Sequence, residues 1–397
     1  MTNNDKIKVL FRHRSMEMGG VEKVVLSMLN NLNRDKFELT ICLNINQGEL
    51  RNEFPSHIRK VYIAEGREDL SKNSMIRKIQ LIIRRFRLNK ASKDSSIADR
   101  ILKDKFDVEI ATTYAVYKTV LNSSNKNSKK IAWLHSDLTL PSFDAYRDDI
   151  FNSMKQFDYI IYGSQQCKDV LNEKYPDVQF PPGKVILNAI PIEELKKKAQ
   201  AFIPEFEDVP TFVSVGRLHI RKGYRTLLEA HQKLLVDGYT HHIYVIGNGE
   251  DYELLSKRID ELGVGNSFKL LGTQMNPYPY VKNADFYIMP SESEGWPLII
   301  AETLILQKPI VATAVGGVPE MIEHSTNGYL TEFSQEGLYK GIKEFLTNRH
   351  LVENIQKNLV NIESKFDNQK IFDAVEEIIE NLTGKESPNR LNKINTI

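Results

Sequence analysis

The chain has only two cysteines, Cys42 and Cys167, and neither belongs to a CxxC pair. That argues against a disulfide framework and for a reduced, cytoplasmic compartment. It has no run of about 18 apolar residues, so no spanning helix is expected. The opening MTNNDKIKVLF lacks an apolar core long enough for a secretory signal. Excess charge is missing too: the formal net charge is +1, which gives no global signal for nucleic acid. A complete GxGxxG is absent, which argues against a nicotinamide oxidoreductase. No DxD ends a predicted strand, and Asp148 and Asp149 fall inside a predicted helix. No metal or other cofactor is therefore expected.

What the chain does have is alternation. At 397 residues it exceeds one ordinary core, and 41% hydrophobic with 26% charged residues is the balance of a folded globular protein. Short apolar runs such as KIKVLF (6–11), FELTICL (37–43), VEIATT (108–113), KKIAWLH (129–135), YIIYGS (159–164) and KVILNAI (184–190) read as buried strands, with amphipathic stretches between them. Residues 191–210 are charged, carry three prolines and hold no strand core, which marks a linker. The alternation then restarts with TFVSVG (211–216), HIYVIG (242–247), SFKLLG (267–272), DFYIMP (285–290) and PIVATAV (309–315). The expected fold class is α/β, with two tandem Rossmann-like doubly wound domains facing across a cleft. The boundaries are 1–190, a linker at 191–210, and 211–370. A helix at 371–384 crosses back to the first domain, and 385–397 is a disordered tail.

EGWPLIIAE (294–302) places two acids eight positions apart around an apolar run. Pro297 suits the first turn of a helix, which makes PLIIAETLIL (297–306) the expected helix. Glu294 then lies in the loop at the carboxyl edge of the sheet, with Glu302 on the second turn, both directed at the cleft mouth. The N–H groups between them suit an anion, and a carboxylate there suits a sugar diol. The competing reading is one acid favoured by the helix dipole and one surface acid. In SVGRLHIRKG, Arg217 follows a strand and Lys222 precedes a helix, so a diphosphate clamp competes with two solvated surface charges. Gly247 and Gly249 of VIGNGED read as a tight turn, since a lone GxG after a strand is weak evidence for a dinucleotide site.

VGRLHIRKG, VIGNGED, LLGT, ADFYIMPSESEGWPLIIAE, KPIVATAVGGVPEMI and NGYL, in that order, resemble the retaining glycosyltransferases of family 4, which have the GT-B fold. The resemblance implies that Arg217 and Lys222 hold a donor diphosphate and that Glu294 contacts the transferred sugar. Glu302 would bind the ribose, and the backbone after Leu271 and Gly272 would frame the base. Gly247, Gly295, Trp296 and Pro297 complete the donor set, with Trp296 standing where the family often has phenylalanine. Gly19 and Gly20 lie between the first strand and its helix. They are either simple turn glycines or, as the resemblance implies, backbone lying against the donor. His135 closes a strand and is either structural or, by the resemblance, a sugar contact in the catalytic set. His13 and Arg14 are acceptor or phosphate candidates, and Asn188 is read as structural.

SMIRKIQLIIRRFRLNK (74–90) gathers Met75, Ile76, Ile79, Ile82, Ile83 and Phe86 on one helical face and Arg77, Lys78, Arg84 and Arg85 on the other, with Arg87 adjoining. Segment 58–105 holds 14 Lys and Arg against 6 Asp and Glu, a local +8. An anionic membrane surface competes here with a core-packed helix that has a solvated basic face.

The expected activity is transfer of a hexose or N-acetylhexosamine from a nucleoside diphosphate sugar, UDP favoured, to a glycan, lipid-linked, in cell-surface polysaccharide biosynthesis. The expected location is the cytoplasm, peripheral at the inner face of the cell membrane. A nucleotide-sugar epimerase of the same fold and a non-catalytic nucleotide-binding homologue are the rivals.

Overall fold

The structure, a computed structural model, describes residues 6–385. All but one residue of the tail expected at 385–397 lies outside the described residues. The chain divides into two compact units. Unit 1 runs up to Ala189 and resumes at Asn368, and unit 2 is Ile190–Asp367.

Unit 1 is built on seven strands: β1 (Ile7–His13), β2 (Phe37–Asn46), β3 (Arg59–Glu65), β4 (Val108–Ala111), β5 (Lys129–Leu134), β6 (Tyr159–Tyr162) and β7 (Gly183–Val185). Their order in the sheet is β3-β2-β1-β4-β5-β6-β7, and every pair is parallel. Unit 2 repeats the plan with β8 (Thr211–Val215), β9 (His242–Ile246), β10 (Phe268–Leu270), β11 (Phe286–Met289), β12 (Ile310–Thr313) and β13 (Tyr329–Thr331). Its order is β10-β9-β8-β11-β12-β13, again parallel throughout. Helices cover both faces, so the strands are buried on both sides. That is why they read as continuous apolar runs rather than alternating ones. The α/β class with two doubly wound sheets is as the sequence indicates.

In each unit the strand order reverses at one place, β1/β4 in unit 1 and β8/β11 in unit 2. The crossovers on either side of such a point go to opposite faces, which leaves a crevice at the carboxyl ends of the two strands.

Three elements differ in extent from the sequence reading. Residues 191–210 hold the helix Ile192–Lys198, whose Lys198 carbonyl accepts from the Asn276 side chain, so this stretch packs within unit 2. KVILNAI pairs only over Gly183–Val185. The last described helix, Asn368–Thr383, belongs to unit 1, where Glu376 accepts from the Asn33 N–H and pairs with Lys36 at 3.0 Å.

The core of unit 2 contains two fully buried histidines in a chain of hydrogen bonds. His241 Nδ1 faces the Tyr239 carbonyl at 2.9 Å, so that nitrogen carries the proton. His241 Nε2 then accepts from His231 Nδ1 at 2.9 Å, and His231 Nε2 is left to accept from the Ser267 hydroxyl at 2.9 Å. A further proton on His241 would set two N–H groups against each other. Burial, with neighbouring histidines, pushes His231 down to about 3 and His241 to about 4 from an ordinary 6.5.

Below pH 6.5 the unfolded chain takes up protons that the native chain refuses, so stability falls as pH falls. The loss begins near pH 6.5 and continues toward pH 4 and 3, by up to about 1.4 kcal/mol per pH unit for each histidine. We expect the urea midpoint to drop between pH 7 and pH 5. The drop should be shallower in His231→Gln, measured against the same baseline.

Candidate active site

The β8/β11 crevice brings together Lys222 and Glu294, 72 residues apart in the chain. After β8 the chain makes a short turn, Ile220–Lys222, opened by the His219 side chain accepting from the Arg221 N–H. Gly223 follows at φ +69 and starts the helix Tyr224–Val236. A Cβ there would sit 1.8 Å from the Pro290 carbonyl oxygen, so only glycine lets this helix start touch the end of β11. The Glu292 N–H donates to the Arg221 carbonyl at 2.8 Å and ties the two loops together. Lys222 Nζ then meets Glu294 Oε1 at 2.7 Å, and Ser291 Oγ donates to the same oxygen at 2.5 Å.

The loop carrying Glu294 is held from its other side by β12. Gly316, at φ +54, would place a Cβ 1.8 Å from the Glu294 carbonyl oxygen. The Gly317 N–H donates to the Gly295 carbonyl at 2.7 Å, and Thr313 Oγ1 donates to the Ser291 carbonyl. Trp296 and Pro297 are buried, and Pro297 caps the helix Leu298–Ile305 rather than forming its first turn. The helix is therefore shorter than PLIIAETLIL suggests.

Glu302 corrects the sequence reading. It is 3% exposed, inside unit 2 rather than at its mouth, and its Oε1 accepts from the Tyr278 hydroxyl at 2.9 Å. The helix is buried on nearly every side, so its second turn cannot open to solvent. Arg217 also departs from the expected clamp, since its side chain is exposed and pairs with Glu250 at 3.2 Å. His219 joins the same carboxylate at 3.3 Å. Gly247 lies where a Cβ would meet the Gly216 carbonyl at 1.9 Å, and its N–H donates to the Gly272 carbonyl at 2.8 Å. The ends of β8, β9 and β10 are thus drawn together. Asp251 opens the next helix and pairs with Arg225 at 2.6 Å.

In unit 1 the β1/β4 crevice gathers His13, Thr112 and, one strand beyond, His135. Thr112 donates its hydroxyl to the Arg12 carbonyl at 2.8 Å, so it can only accept from His13 Nδ1, at 2.6 Å. His13 Nε2 is turned toward Glu22 at 3.5 Å. His135 stacks on Trp133 with ring centroids 5.4 Å apart. Burial, with His13 nearby, lowers His135 to about 3, so its ring is neutral. Its Nε2 is buried without a hydrogen-bond partner among the described residues, and so are Nε and Nη2 of Arg12. Gly19 caps the helix Gly20–Asn31 with φ −149, an extended conformation open to any residue. Arg14 is exposed, and Asn188 is buried.

Arg12, Thr112, Ser291, Tyr278 and Gly316 escaped the sequence reading as site residues. Gly316 alone carried a signal, its place in AVGGVPE. Among the described residues, no three His, Cys, Asp or Glu side chains cluster as metal ligands.

Both units match solved structures over nearly the whole chain. Anabaena HepE, crystallised with UDP and glucose, superposes with a TM-score of 0.73 at 20% identity, covering 94% of this chain and 99% of that one. A glycosyltransferase of Rickettsia africae gives 0.72 at 18% identity, covering 96% of this chain and 100% of that one. In sequence, an uncharacterized glycosyltransferase of Methanocaldococcus jannaschii is 21% identical over 61% of this chain and 62% of its own length. The Campylobacter jejuni N-acetylgalactosamine-N,N'-diacetylbacillosaminyl-diphospho-undecaprenol 4-alpha-N-acetylgalactosaminyltransferase is 29% identical over 47% of this chain and 51% of its own. The chain thus spans between half and two thirds of these two relatives.

Gly316 and Gly272 provide an internal comparison, because both have positive φ but only Gly316 is crowded. Gly272→Ala should cost about 1 kcal/mol of left-handed strain. Gly316→Ala should lose roughly 3 kcal/mol, as read by urea unfolding of the two variants side by side.

Residues 196–361, which hold this crevice, match the family described as glycosyl transferases group 1, and the chain around them has the GT-B fold.

Proposed function

We propose that this chain is a retaining glycosyltransferase. It moves a hexose or N-acetylhexosamine from a nucleoside diphosphate sugar, UDP favoured, to a glycan hydroxyl, and the acceptor is lipid-linked. The observation that carries the reading is the Lys222–Glu294 pair, 2.7 Å apart at the β8/β11 switch point. There a fixed cation and a carboxylate adjoin the N-terminus of the helix Leu298–Ile305.

The leaving group of such a transfer is a nucleoside diphosphate, so catalysis requires positive charge where negative charge develops. Lys222 Nζ supplies it. A diphosphate oxygen would compete with Glu294 for that ammonium and turn the carboxylate toward sugar hydroxyls. Arg217, on an exposed side chain held only by Glu250, would swing onto the second phosphate. The two cations would together neutralise charge on the leaving diphosphate. Glu302, oriented by Tyr278, would back the ribose position from the interior of unit 2.

In unit 1 the neutral His135 would donate or accept one hydrogen bond with a sugar hydroxyl, and the extended backbone at Gly19 would lie against the donor. The acceptor hydroxyl would attack from the side on which the diphosphate leaves, and a phosphate oxygen would take its proton. UDP as carrier is favoured by HepE, solved with UDP and glucose. A lipid-linked acceptor is favoured by the Campylobacter relative, whose name specifies a diphospho-undecaprenol substrate.

Nucleotide release from UDP-, GDP- and ADP-sugars, with and without a polyprenyl-diphosphate sugar, tests the reading. We expect acceptor-dependent release from one donor and retained anomeric configuration in the product. Glu294→Ala and Lys222→Ala should each cut kcat by about 100- to 1000-fold. An altered free nucleotide sugar without acceptor would instead make the chain an epimerase. Absence of binding to every donor would defeat the reading.

A further inference from the structure

The helix Ser74–Lys93 meets the protein with its polar side. Gln80, Arg84 and Leu88 are half-buried and Ala91 is buried, at helical spacing along one line. Leu88 and Ala91 pack into the core beside Leu10, Cys42 and Ile63. The Gln80 side chain accepts from the Ser71 N–H at 2.8 Å, and Arg84 reaches the Glu65 carbonyl at 3.5 Å. The apolar stripe lies on the far side, about 165° away at 3.6 residues per turn. There Met75, Ile79, Ile82 and Phe86 are between 57% and 77% exposed, with Ile76 and Ile83 beside them. The sequence left two arrangements open, and the core-packed one is overturned: packing takes Arg84 inward and leaves the apolar side chains outward.

The charges follow the same geometry. Lys78 and Arg85 run along one margin of the stripe and Arg87 along the other, while Lys90 and Lys93 continue it beyond Phe86. The helix carries seven basic residues and no acidic one. We propose that this outward face docks on an anionic lipid bilayer, with the stripe in the headgroup boundary and the marginal lysine and arginines on anionic headgroups. Charge selects this occupant over a second copy of the chain. Two such faces together would set the five basic residues along each stripe, Lys78, Arg85, Arg87, Lys90 and Lys93, against the same five with no acid on the helix to offset them.

The docking stands on unit 1 alone and holds whatever unit 2 transfers. The test is flotation of the full chain with phosphatidylcholine vesicles and with vesicles of phosphatidylcholine and phosphatidylglycerol. Binding should require phosphatidylglycerol. Reversing three marginal charges, Lys78→Glu with Arg85→Glu and Arg87→Glu, should lower partition by about 100-fold or more. The double variant Ile82→Ser with Phe86→Ser should lower it by about 10- to 100-fold, with circular dichroism and melting temperature unchanged because both residues are exposed. Phe86→Trp should shift its emission to the blue on vesicles. No binding to anionic vesicles, or binding indifferent to Ile82→Ser with Phe86→Ser, would overturn the proposal. So would concentration-dependent dimers, seen by sedimentation velocity without vesicles, that the same double variant dissolves. Nucleotide release with a short water-soluble acceptor separates this failure from failure of the transferase reading.

Discussion

Lys222 and Glu294 meet because β8 and β11 are neighbours at the point where the sheet reverses direction. Seventy-two residues separate them in the chain, and the intervening β9 and β10 lie on the other side of β8. Two close backbone approaches hold the contact, Gly223 against Pro290 and Gly316 against Glu294. Either approach, lost, would move one partner. Such a half-buried ion pair is a poor device for stability, since desolvating both charges offsets most of their attraction. Its value is geometric: a cation and a carboxylate are held together at a helix start by the two loops that carry them.

The two units handle their polar edges differently. At the edge of unit 2, Lys222, Arg217 and Arg225 each have a carboxylate partner, and a ligand must exchange with those partners. At the edge of unit 1, Arg12 and His135 hold buried nitrogens without partners among the described residues. Buried polar atoms in that state are costly unless something completes them. A polyhydroxylated ligand offers both donors and acceptors, which fits a neutral imidazole better than a charged one. The depressed value of His135 keeps it in that form across the physiological range.

The sequence made the sheets legible because parallel strands buried on both faces leave long apolar runs, and because glycine and proline punctuate their ends. It also made Lys222 and Glu294 legible, through the spacing of RxxxxKG and of EGWP. It did not show that Glu302 would be enclosed, since burial of an acid depends on a distant partner, here Tyr278. Ser291 and Thr313 are short hydroxyl residues whose role comes only from the loop packing that brings them to Glu294 and Ser291. The linker at 191–210 escaped as a helix because a seven-residue segment rich in lysine has little apolar periodicity.

The helix Ser74–Lys93 shows the limit of periodicity most clearly. A period of 3.6 residues says that a helix has two faces, but not which of them the body of the protein will take. In a core-forming helix the apolar face goes inward because burial is the main favourable term. Here the small Ala91 and the single Leu88 suffice to seat the C-terminal end, and the larger side chains before them point away. That arrangement leaves the stripe's burial unrealised in the folded chain, so the free energy remains available to a surface outside it. The basic margin acts at longer range and is screened by salt, whereas the partly buried Lys222–Glu294 pair is screened much less. Ionic strength therefore acts first on the reach of the basic margin and only weakly on the geometry of the crevice in unit 2.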